Sequence, residues 1–320
     1  MSQLAQPGAV VMAVHRPDRG LLRRQVLSLQ RQQAERWSCI VGIDGHDPEI
    51  HAYVSDLVEG DTRFVVHHFD ENLGVYRHFE RLLGLVDTRV VSWVALADQD
   101  DEWYPDKLSL LAPLLSRPGV TAAVGRARVV AGGDATGTTQ RRVGGLASSL
   151  LVNHVTGSLA VFRPEVVAAS LPFPPGNRHA IHDHWLGVCA ASLGQIVQAD
   201  DVVQDYVQHS GNVIGDSGRH TVGDALTALR ESGGPLRLVD QHVGGRWAWR
   251  VQMARAVRDR QVAPATVPVI EAVATGRAAK VITGAVLRAV RRREVTVVEA
   301  VALLAASARW RHTATSRDPG

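Results

Sequence analysis

Three aspartates crowd the end of an apolar run in the segment ALADQDDEWYPDKL, residues 95–108. Asp98, Asp100 and Asp101 directly follow residues 90–97, whose apolar side chains predict a buried strand. Carboxylates this close repel one another, and removal from water raises the cost further. Hard divalent cations prefer carboxylate oxygens, and Mg2+ is usually held by one or two carboxylates together with substrate phosphates. The cluster therefore predicts a site for a divalent cation and a phosphate-bearing ligand.

The same acids have a structural alternative, which is a turn followed by the cap of a helix that opens at Pro105. Asp100 or Asp101 alone would suffice for such a cap. Three acids at one strand end exceed what capping requires, so their number and position favour the cation and phosphate interpretation.

Two further segments carry side chains that could do chemistry. In IHDHW, the residues His182, Asp183 and His184 open a predicted amphipathic helix, where an acid complements the helix dipole. Histidines two positions apart point in different directions on a helix, so no two-histidine metal site is expected there. In DYVQHSGNVIG, residues 205–215, His209 follows a predicted strand. Taken alone, a first-turn acid and a single histidine are more often structural than functional.

The elements that must position these residues alternate between strands and helices. Predicted helices separate successive apolar strands, and the strands cover residues 9–14, 39–43, 63–68 and 90–97. This alternation indicates an α/β fold with a mostly parallel sheet covered on both faces. Ligands of such sheets bind outside the carboxyl ends of the strands. Asp44 and the aspartate cluster both lie at carboxyl ends, which supports a ligand site at that edge.

The two commonest nucleotide fingerprints do not occur in the sequence. There is no G-x-G-x-x-G after the first strand and no G-x-x-x-x-G-K-[ST]. The phosphates of a bound nucleotide would therefore need another counter-charge, which a cation held by the acidic cluster would supply.

Composition limits the classes of protein. The chain has 320 residues, 45% of them hydrophobic, which is enough for a sizeable core. The N-terminal residues do not resemble a signal peptide, and no window of about 20 apolar residues predicts a spanning helix. Cys39 and Cys189 lie in apolar contexts and are expected to be reduced core residues. We therefore expect a cytoplasmic protein. Peripheral contact with the inner face of the membrane is compatible with this expectation.

The C-terminal part is predicted to be helical and rich in arginine, including Arg288 and the run Arg291–Arg293 beside VVEAVALLAA. No aromatic interleaving and no nucleic-acid motif accompany these charges, so no nucleic-acid partner is expected. Two interpretations remain open at this point. The arginines either face an anionic surface, such as lipid or a phosphorylated substrate, or form an ordinary solvated helix face.

Seven segments, taken together and in order, resemble the family-2 glycosyltransferases of the GT-A fold, in particular the rhamnosyltransferase-like branch of bacterial polysaccharide synthesis. The resemblance covers about residues 8–216. The segments are VVMAVHRPDRGLLRRQVLSLQRQ, IVGIDG, ENLGVYRHFERLL, ALADQDDEWYPDKL, HVTGSLAVFRPEV, HDHWLGVCAASLG and DYVQHSGNVIG.

The resemblance implies a metal and diphosphate site. Asp98 and Asp100 match the family's D-x-D motif, which lies near the ribose, the cation and the diphosphate of the donor. His209 resembles a histidine that approaches the metal or the diphosphate. The implied metal ligands are thus Asp100, Asp98 and His209, and the implied cofactor is Mn2+ or Mg2+.

The resemblance also implies the remaining roles. Asp183 resembles the catalytic base of the family. Asp44 matches the acid that contacts the nucleotide base, and His15 falls in the nucleotide-sugar region. The sequence departs from the usual pattern here, because Val14-His15-Arg16 replaces Thr-Tyr-Asn and Ile43 stands where an acid is common.

These predictions define an expected function. The chain is predicted to be an inverting, metal-dependent glycosyltransferase with a nucleotide-diphosphate sugar donor and a carbohydrate or lipid-linked acceptor. Residues 1–216 are expected to form the GT-A domain, and residues 217–320 a C-terminal helical region. One alternative is a nucleotidyltransferase of similar fold, although HRPDRG holds only Gly20 where a Gly-rich phosphate loop is needed. The other alternative is a non-catalytic sugar-binding or scaffold protein.

Overall fold

The computed structural model describes residues 7–34, 36–131, 134–139, 142–208, 245–260 and 268–315. The chain divides into two compact units, each assembled from separate stretches of sequence. The first unit comprises Met1–Gly145, Asn153–Phe173 and Ile181–Val207, and the second comprises Leu146–Val152, Pro174–Ala180 and Gln208–Gly320.

The strands of the described residues form a nine-stranded mixed sheet. Its order is β3-β2-β1-β4-β8-β6-β9-β5, and β7 pairs with β6 outside this path. The strands are β1 (Gly8–Val14), β2 (Trp37–Asp44), β3 (Phe64–Phe69), β4 (Trp93–Ala97), β5 (Glu102–Trp103), β6 (Val120–Ala131), β7 (Asp134–Thr138), β8 (Ala160–Phe162) and β9 (Gln195–Gln208).

Helices flank this sheet or belong to the second unit. The first unit holds α1 (Arg19–Gln30), α2 (Pro48–Leu57), α3 (Gly74–Leu83), α4 (Lys107–Leu111), α6 (Pro164–Ser170) and α7 (His182–Leu193), and two short 3-10 helices at Ala112–Ser116 and Gly157–Leu159. The second unit holds α5 (Leu146–Leu151), α8 (Gly245–Asp259), α9 (Pro268–Thr275), α10 (Ala279–Arg291) and α11 (Val297–Thr315).

The first four strands form the parallel part of the sheet. β1 lies between β2 and β4 and pairs with both in parallel, and β3 continues the parallel order beyond β2. β1 and β4 are buried almost throughout, as expected for parallel strands that are covered on both faces. The predicted α/β fold class is confirmed.

The strands that follow β4 in the sheet are antiparallel, so the sheet is mixed rather than parallel throughout. β8 pairs antiparallel with both β4 and β6, and β5 pairs antiparallel with β9. A close approach fixes β6 against β9, because a Cβ on Gly125 would lie 2.5 Å from Cγ2 of Val203. Parallel pairing requires long crossover connections, which are usually helices. The alternation of strands and long helices ends in this region, so these crossovers end with it.

The second unit has its own apolar core. Trp247, Trp249 and Met253 of α8 are buried, as are Val273 of α9 and Val286 of α10. None of the helices in the described ranges is long and apolar enough to cross a membrane.

Candidate active site

The candidate site lies at the carboxyl ends of β1, β2 and β4. Strand order reverses at β1, because β2 and β3 lie on one side of it and β4 on the other. Open α/β sheets bind ligands in the crevice at such a switch point. The predicted site residues His15, Asp44 and Asp98 follow or end these three strands, so the fold brings them to one edge of the sheet.

A pair of hydrogen bonds joins the two sides of this crevice. The side chain of Gln99 accepts from the backbone N–H of His15 over 2.8 Å and donates to its carbonyl oxygen over 3.1 Å. The next residue, Arg16, has a φ of 42°, which is an uncommon conformation for a residue with a side chain. The loop after β1 is therefore tied to the aspartate loop after β4 through backbone atoms, and strain of this kind is common near ligand sites.

His15 and Asp44 are linked to each other and to the loop before α3. His15 Nδ1 lies 2.8 Å from the carbonyl oxygen of Asp44, and Asn72 Nδ2 lies 3.3 Å from His15 Nε2. The Asp44 carboxylate accepts from the backbone N–H groups of Leu73, over 3.0 Å, and Gly74, over 2.8 Å. Asp44 thus holds the start of α3, and its predicted contact with the nucleotide base stays a prediction.

The aspartate cluster concentrates negative charge at the end of β4. Asp98 and Asp100 are half-buried, whereas Asp101 is 1% exposed. Desolvation, reinforced by the charges of Asp101, Asp100 and Asp183, raises the pKa of Asp98 well above its usual range. Desolvation and the charge of Asp100 likewise raise the pKa of Asp101, to about 6. Asp183 therefore lies near enough to the D-x-D residues to act on Asp98 electrostatically.

A buried lysine lies beneath this cluster. Lys107 is fully buried, with its Nζ 3.4 Å from the centre of the Trp103 ring. Its ammonium group donates to the carbonyl oxygen of Ser158 and, over 2.6 Å, to Oε1 of Gln204. Desolvation lowers the pKa of Lys107 well below its usual value, while the charges of Asp101 and Asp98 oppose that shift. Lys107 thus lies within electrostatic range of Asp98 and Asp101, whose charges favour its protonated form.

Gln204 and Ser158 complete a network around Lys107. The Gln204 amide donates to Oδ2 of Asp101 over 2.7 Å and to the Ser158 hydroxyl over 3.1 Å. The Ser158 hydroxyl also lies close enough to Asp98 and Asp101 to oppose the rise in the pKa of both carboxyls. The short helix that contains Ser158 is therefore attached to the aspartate loop.

The same short helix positions Asp183. Gly157 donates its backbone N–H to Oδ2 of Asp183 over 3.3 Å, and Asn153 Nδ2 donates to Oδ1 over 2.8 Å. Asp183 is 8% exposed and lies in the first turn of α7, where the helix dipole favours a negative charge. The arrangement can therefore hold a base in a fixed orientation near the D-x-D residues.

The two histidines that flank Asp183 are buried. Desolvation lowers the pKa of His182 to about 3, so its ring is neutral near pH 7. That ring stacks on Phe79 with 4.0 Å between centroids. These contacts describe a packed side chain at His182.

The donor set of the cluster fits a hard divalent cation. It offers carboxylate oxygens, which Mg2+ and Mn2+ prefer. Burial and, after it, the charges of the neighbouring acids raise the pKa of Asp98, and a bound cation would oppose that rise. Asp98 and Asp100 are the residues that would hold it. The third predicted ligand, His209, lies outside the described residues.

The end of β9, which leads to His209, is anchored by an ion pair. Arg128 donates to both oxygens of Asp205, over 2.7 and 2.6 Å, and the Tyr104 hydroxyl donates to the same carboxylate over 2.7 Å. Asp205 faces Glu102 in the antiparallel pair of β5 and β9. The strand that precedes His209 is thus fixed to the segment that follows the aspartate cluster.

A second group of potential metal ligands lies elsewhere on the surface. His46, His68 and Asp70 offer ligand atoms within 4.8 Å of one another, and His46 Nδ1 lies 3.2 Å from Oδ1 of Asp70. However, His68 Nε2 accepts a hydrogen bond from the backbone N–H of Asp47 over 3.0 Å. That bond occupies a lone pair that a cation would need, and we assign no cation to this group.

The residues that support the site were not predicted from the sequence. They are Asn153, Ser158, Lys107 and Gln204. Asn153 is 30 positions from Asp183, and Gln204 is 46 positions from Ser158 and 97 from Lys107. One signal was available in the sequence, because Lys107 is one of only two lysines in a chain whose basic residues are otherwise arginines.

A family comparison agrees with this geometry. The sequence profile of glycosyl transferase family 2 matches residues 9–169, which is half of the chain and includes β1 to β4 with the aspartate cluster. The chain belongs to glycosyl transferase family 2. The match does not distinguish the rhamnosyltransferase-like branch, which stays a prediction.

Solved structures of two glycosyltransferases share the fold. TarS of S. aureus, residues 1–349 in complex with UDP-GlcNAc, aligns with a TM-score of 0.53 at 12% identity over 96% of this chain and 92% of that one. The mannosyltransferase PcManGT from Pyrobaculum calidifontis, in complex with GDP-Man and Mn2+, aligns with a TM-score of 0.52 at 18% identity over 97% and 83%. Identities this low establish a GT-A-like fold and no more. No curated protein sequence matches the chain.

Proposed function

We propose that the protein transfers a sugar from a nucleotide-diphosphate sugar to an acceptor hydroxyl, with inversion at the anomeric carbon. The observation that carries this proposal is the attachment of two acids to the same short helix, Gly157–Leu159. Asp183 accepts the backbone N–H of Gly157, and Gln204 joins Asp101 to Ser158. Membership of glycosyl transferase family 2 supports the reaction class.

The diphosphate end of the donor is assigned to Asp98 and Asp100. Mn2+ or Mg2+ held there would neutralise the diphosphate and stabilise the leaving nucleotide. His209 is proposed as a third ligand, and His15 and Asp44 as the residues nearest the nucleoside. The Gln99–His15 hydrogen bonds keep the loops after β1 and β4 together on the two sides of the donor.

The acceptor end is assigned to Asp183. Its carboxylate accepts the proton of the acceptor hydroxyl while the hydroxyl oxygen forms a bond to the anomeric carbon. The bond from that carbon to the phosphate oxygen breaks, and the nucleoside diphosphate leaves with the electron pair. Attack from the face opposite the leaving group inverts the configuration. A positioned base of this kind typically contributes about 10²–10⁴-fold.

The class of donor is supported by the neighbours, which bind UDP-GlcNAc in one case and GDP-Man with Mn2+ in the other. The proposal has three further parts. They are a carbohydrate or lipid-linked acceptor, a role in bacterial polysaccharide or glycoconjugate synthesis, and a cytoplasmic location. The nucleotidyltransferase alternative places attack at phosphorus, and the scaffold alternative predicts no turnover.

One experiment separates these three functions. UDP-, dTDP- and GDP-sugars are screened with Mn2+ for an increase in melting temperature, and the donors that stabilise the protein are then followed by NMR with Mn2+ or with EDTA. We expect cation-dependent release of nucleoside diphosphate and a sugar whose first-formed anomer is inverted. Cleavage between the phosphates would indicate a nucleotidyltransferase. Absence of any turnover, with donor binding retained, would indicate a scaffold.

A further inference from the structure

An apolar surface is exposed where α10 ends and α11 begins. Leu287 of α10 is 59% exposed, and Val297, Val298 and Val301 of α11 are 68%, 81% and 64% exposed. In the described part of the chain, four of the ten large apolar side chains with high exposure fall within this short stretch. Exposed apolar side chains scattered singly need no explanation, but a contiguous group of them marks an interaction surface.

The register of α11 fixes this exposure. Thr296 and Glu299 form a capping box, in which Glu299 Oε2 accepts from the Thr296 backbone N–H over 2.8 Å and the Thr296 hydroxyl accepts from the Glu299 N–H over 3.2 Å. Val297 and Val301 are one helical turn apart, so they share a face. Leu303 faces the other way and is 5% exposed. The valines are therefore held outward by a helix whose opposite face is packed.

Basic residues lie between Leu287 and Val297 in the sequence. Arg288 and the run Arg291–Arg293 are exposed, whereas Glu294 and Glu299, the acids of the same stretch, are half-buried. Glu299 is already engaged in the helix cap. The surface therefore presents positive charge and apolar groups together. We call it the α10–α11 patch, and it consists of Leu287, Arg288, Arg291, Arg292, Arg293, Val297, Val298 and Val301.

We propose that the α10–α11 patch binds the surface of an anionic lipid membrane. Lipid interfaces attract apolar side chains into the acyl boundary and basic side chains to the headgroups, and both are present here within one helical junction. A second copy of the chain would have to bring four like-charged arginines against another four. A nucleic acid would leave the valines without a partner. Charge complementarity thus favours anionic lipid as the occupant.

This proposal goes beyond glycosyl transfer and does not require it. Membrane binding is measured without any donor, so a failure here leaves the proposed reaction untouched. If both hold, the enzyme would work at the surface in which a lipid-linked acceptor is embedded.

The test is flotation of the full chain with vesicles of phosphatidylcholine alone or with added phosphatidylglycerol. Two variants alter the patch, Val298→Asp with Val301→Asp, and Arg291→Glu with Arg292→Glu and Arg293→Glu. Each variant has a control in the first unit. The control for the valine variant is Val90→Asp, at a valine that is 59% exposed. The control for the arginine variant combines Arg23→Glu, Arg31→Glu and Arg117→Glu, at exposed arginines. Size-exclusion chromatography with light scattering records the oligomeric state of each.

We expect the wild-type chain to float only with the anionic vesicles, and more weakly at high salt, because the charge attraction is screened. Both patch variants should lower the vesicle-bound fraction by at least about tenfold in partition coefficient, since each basic residue near such a surface is worth about 1 kcal/mol. Both controls should bind like the wild type. Equal binding of patch variants and wild type would overturn the proposal. Absence of flotation of the wild-type chain would also overturn the proposal. A patch variant that dissociates an oligomer without changing flotation would overturn it as well, and would show that the patch is an interface between copies of the chain.

Discussion

The Nδ2 group of Asn153 donates a hydrogen bond of 2.8 Å to Oδ1 of Asp183, and the backbone N–H of Gly157 donates to the other oxygen over 3.3 Å. The carboxylate is thus held from two sides by groups on the loop that follows α5. A carboxylate held in this way keeps a constant orientation. That relationship gives Asn153 a positioning role in the proposed reaction.

Replacing Asn153 by alanine should slow turnover without weakening donor binding. Hydrogen bonds to charged groups contribute about 1.5–3 kcal/mol, so kcat should fall by roughly tenfold or more while the donor KM changes little. In an Asp183→Asn background the same substitution should have almost no further effect, because the group it positions has lost its function. Additive losses in the double variant would contradict the positioning role.

Loss of the buried lysine should destabilise the first unit. Lys107→Met removes the hydrogen bonds to Ser158 and Gln204 and leaves their buried acceptor oxygens without that donor. Leaving a buried polar group unsatisfied typically costs about 1–3 kcal/mol, which urea denaturation would detect as a lower free energy of unfolding. Lys280→Met, at the chain's other and exposed lysine, is the matched control. Equal stability of the two variants would exclude an important role for the Lys107 network.

Acid should destabilise the protein through His182. Burial lowers its folded-state pKa to about 3, from an ordinary value of 6.5, so at intermediate pH the unfolded chain binds the proton and the folded chain does not. The contribution of His182 is therefore complete above about pH 6.5 and is lost as the pH falls toward 3, at about 1.4 kcal/mol per pH unit. Asp98 and Asp101 have raised pKa values and act in the opposite direction.

The difference between wild type and His182→Gln isolates this effect, because the acids titrate in both. Free energies of unfolding measured from about pH 7 to about pH 4 should fall more steeply for the wild type. Parallel pH profiles would mean that His182 is not buried as a neutral ring.

Asp100, which is proposed to hold the cation, should control nucleotide affinity. Asp100→Asn removes one charged ligand, so Mn2+-dependent binding of a nucleoside diphosphate should weaken by at least about an order of magnitude in calorimetry. Asp106→Asn, at an exposed aspartate a few residues further along, is a suitable control. Unchanged affinity of Asp100→Asn, with Mn2+ still required, would show that the ligand assignment is wrong.

Much of the parallel sheet could be predicted from the sequence, because apolar runs followed by Asp44 or Asp98 mark strands whose carboxyl ends meet at one edge. The antiparallel strand β9 was harder to foresee. Its sequence, QIVQADDVVQDYVQ, mixes acids with valines, and its burial depends on partners such as Gly125 that are distant in the chain. Local pattern carries no information about such long-range pairing.

The candidate site acids could be predicted from short segments, whereas the residues that support them could not. Asp98 and Asp100 were predicted from their number and position after a strand, and Asp183 from motif resemblance. Lys107 and Ser158 act through contacts that exist only once β5, β9 and the Gly157–Leu159 helix have packed together. A sequence pattern can thus name a candidate base, whereas the groups that orient it become visible in the fold.

The most direct test of the proposed chemistry is the transfer kinetics of Asp183→Asn with a donor identified by the binding screen. The substitution keeps the shape and removes the basicity, so Mn2+-dependent donor affinity should be close to that of the wild type, and kcat should fall by about 10²-fold or more. Matching melting temperatures would exclude a folding defect. If Asp183→Asn kept most of its activity, while His184→Ala abolished it in a folded protein, Asp183 would not be the base.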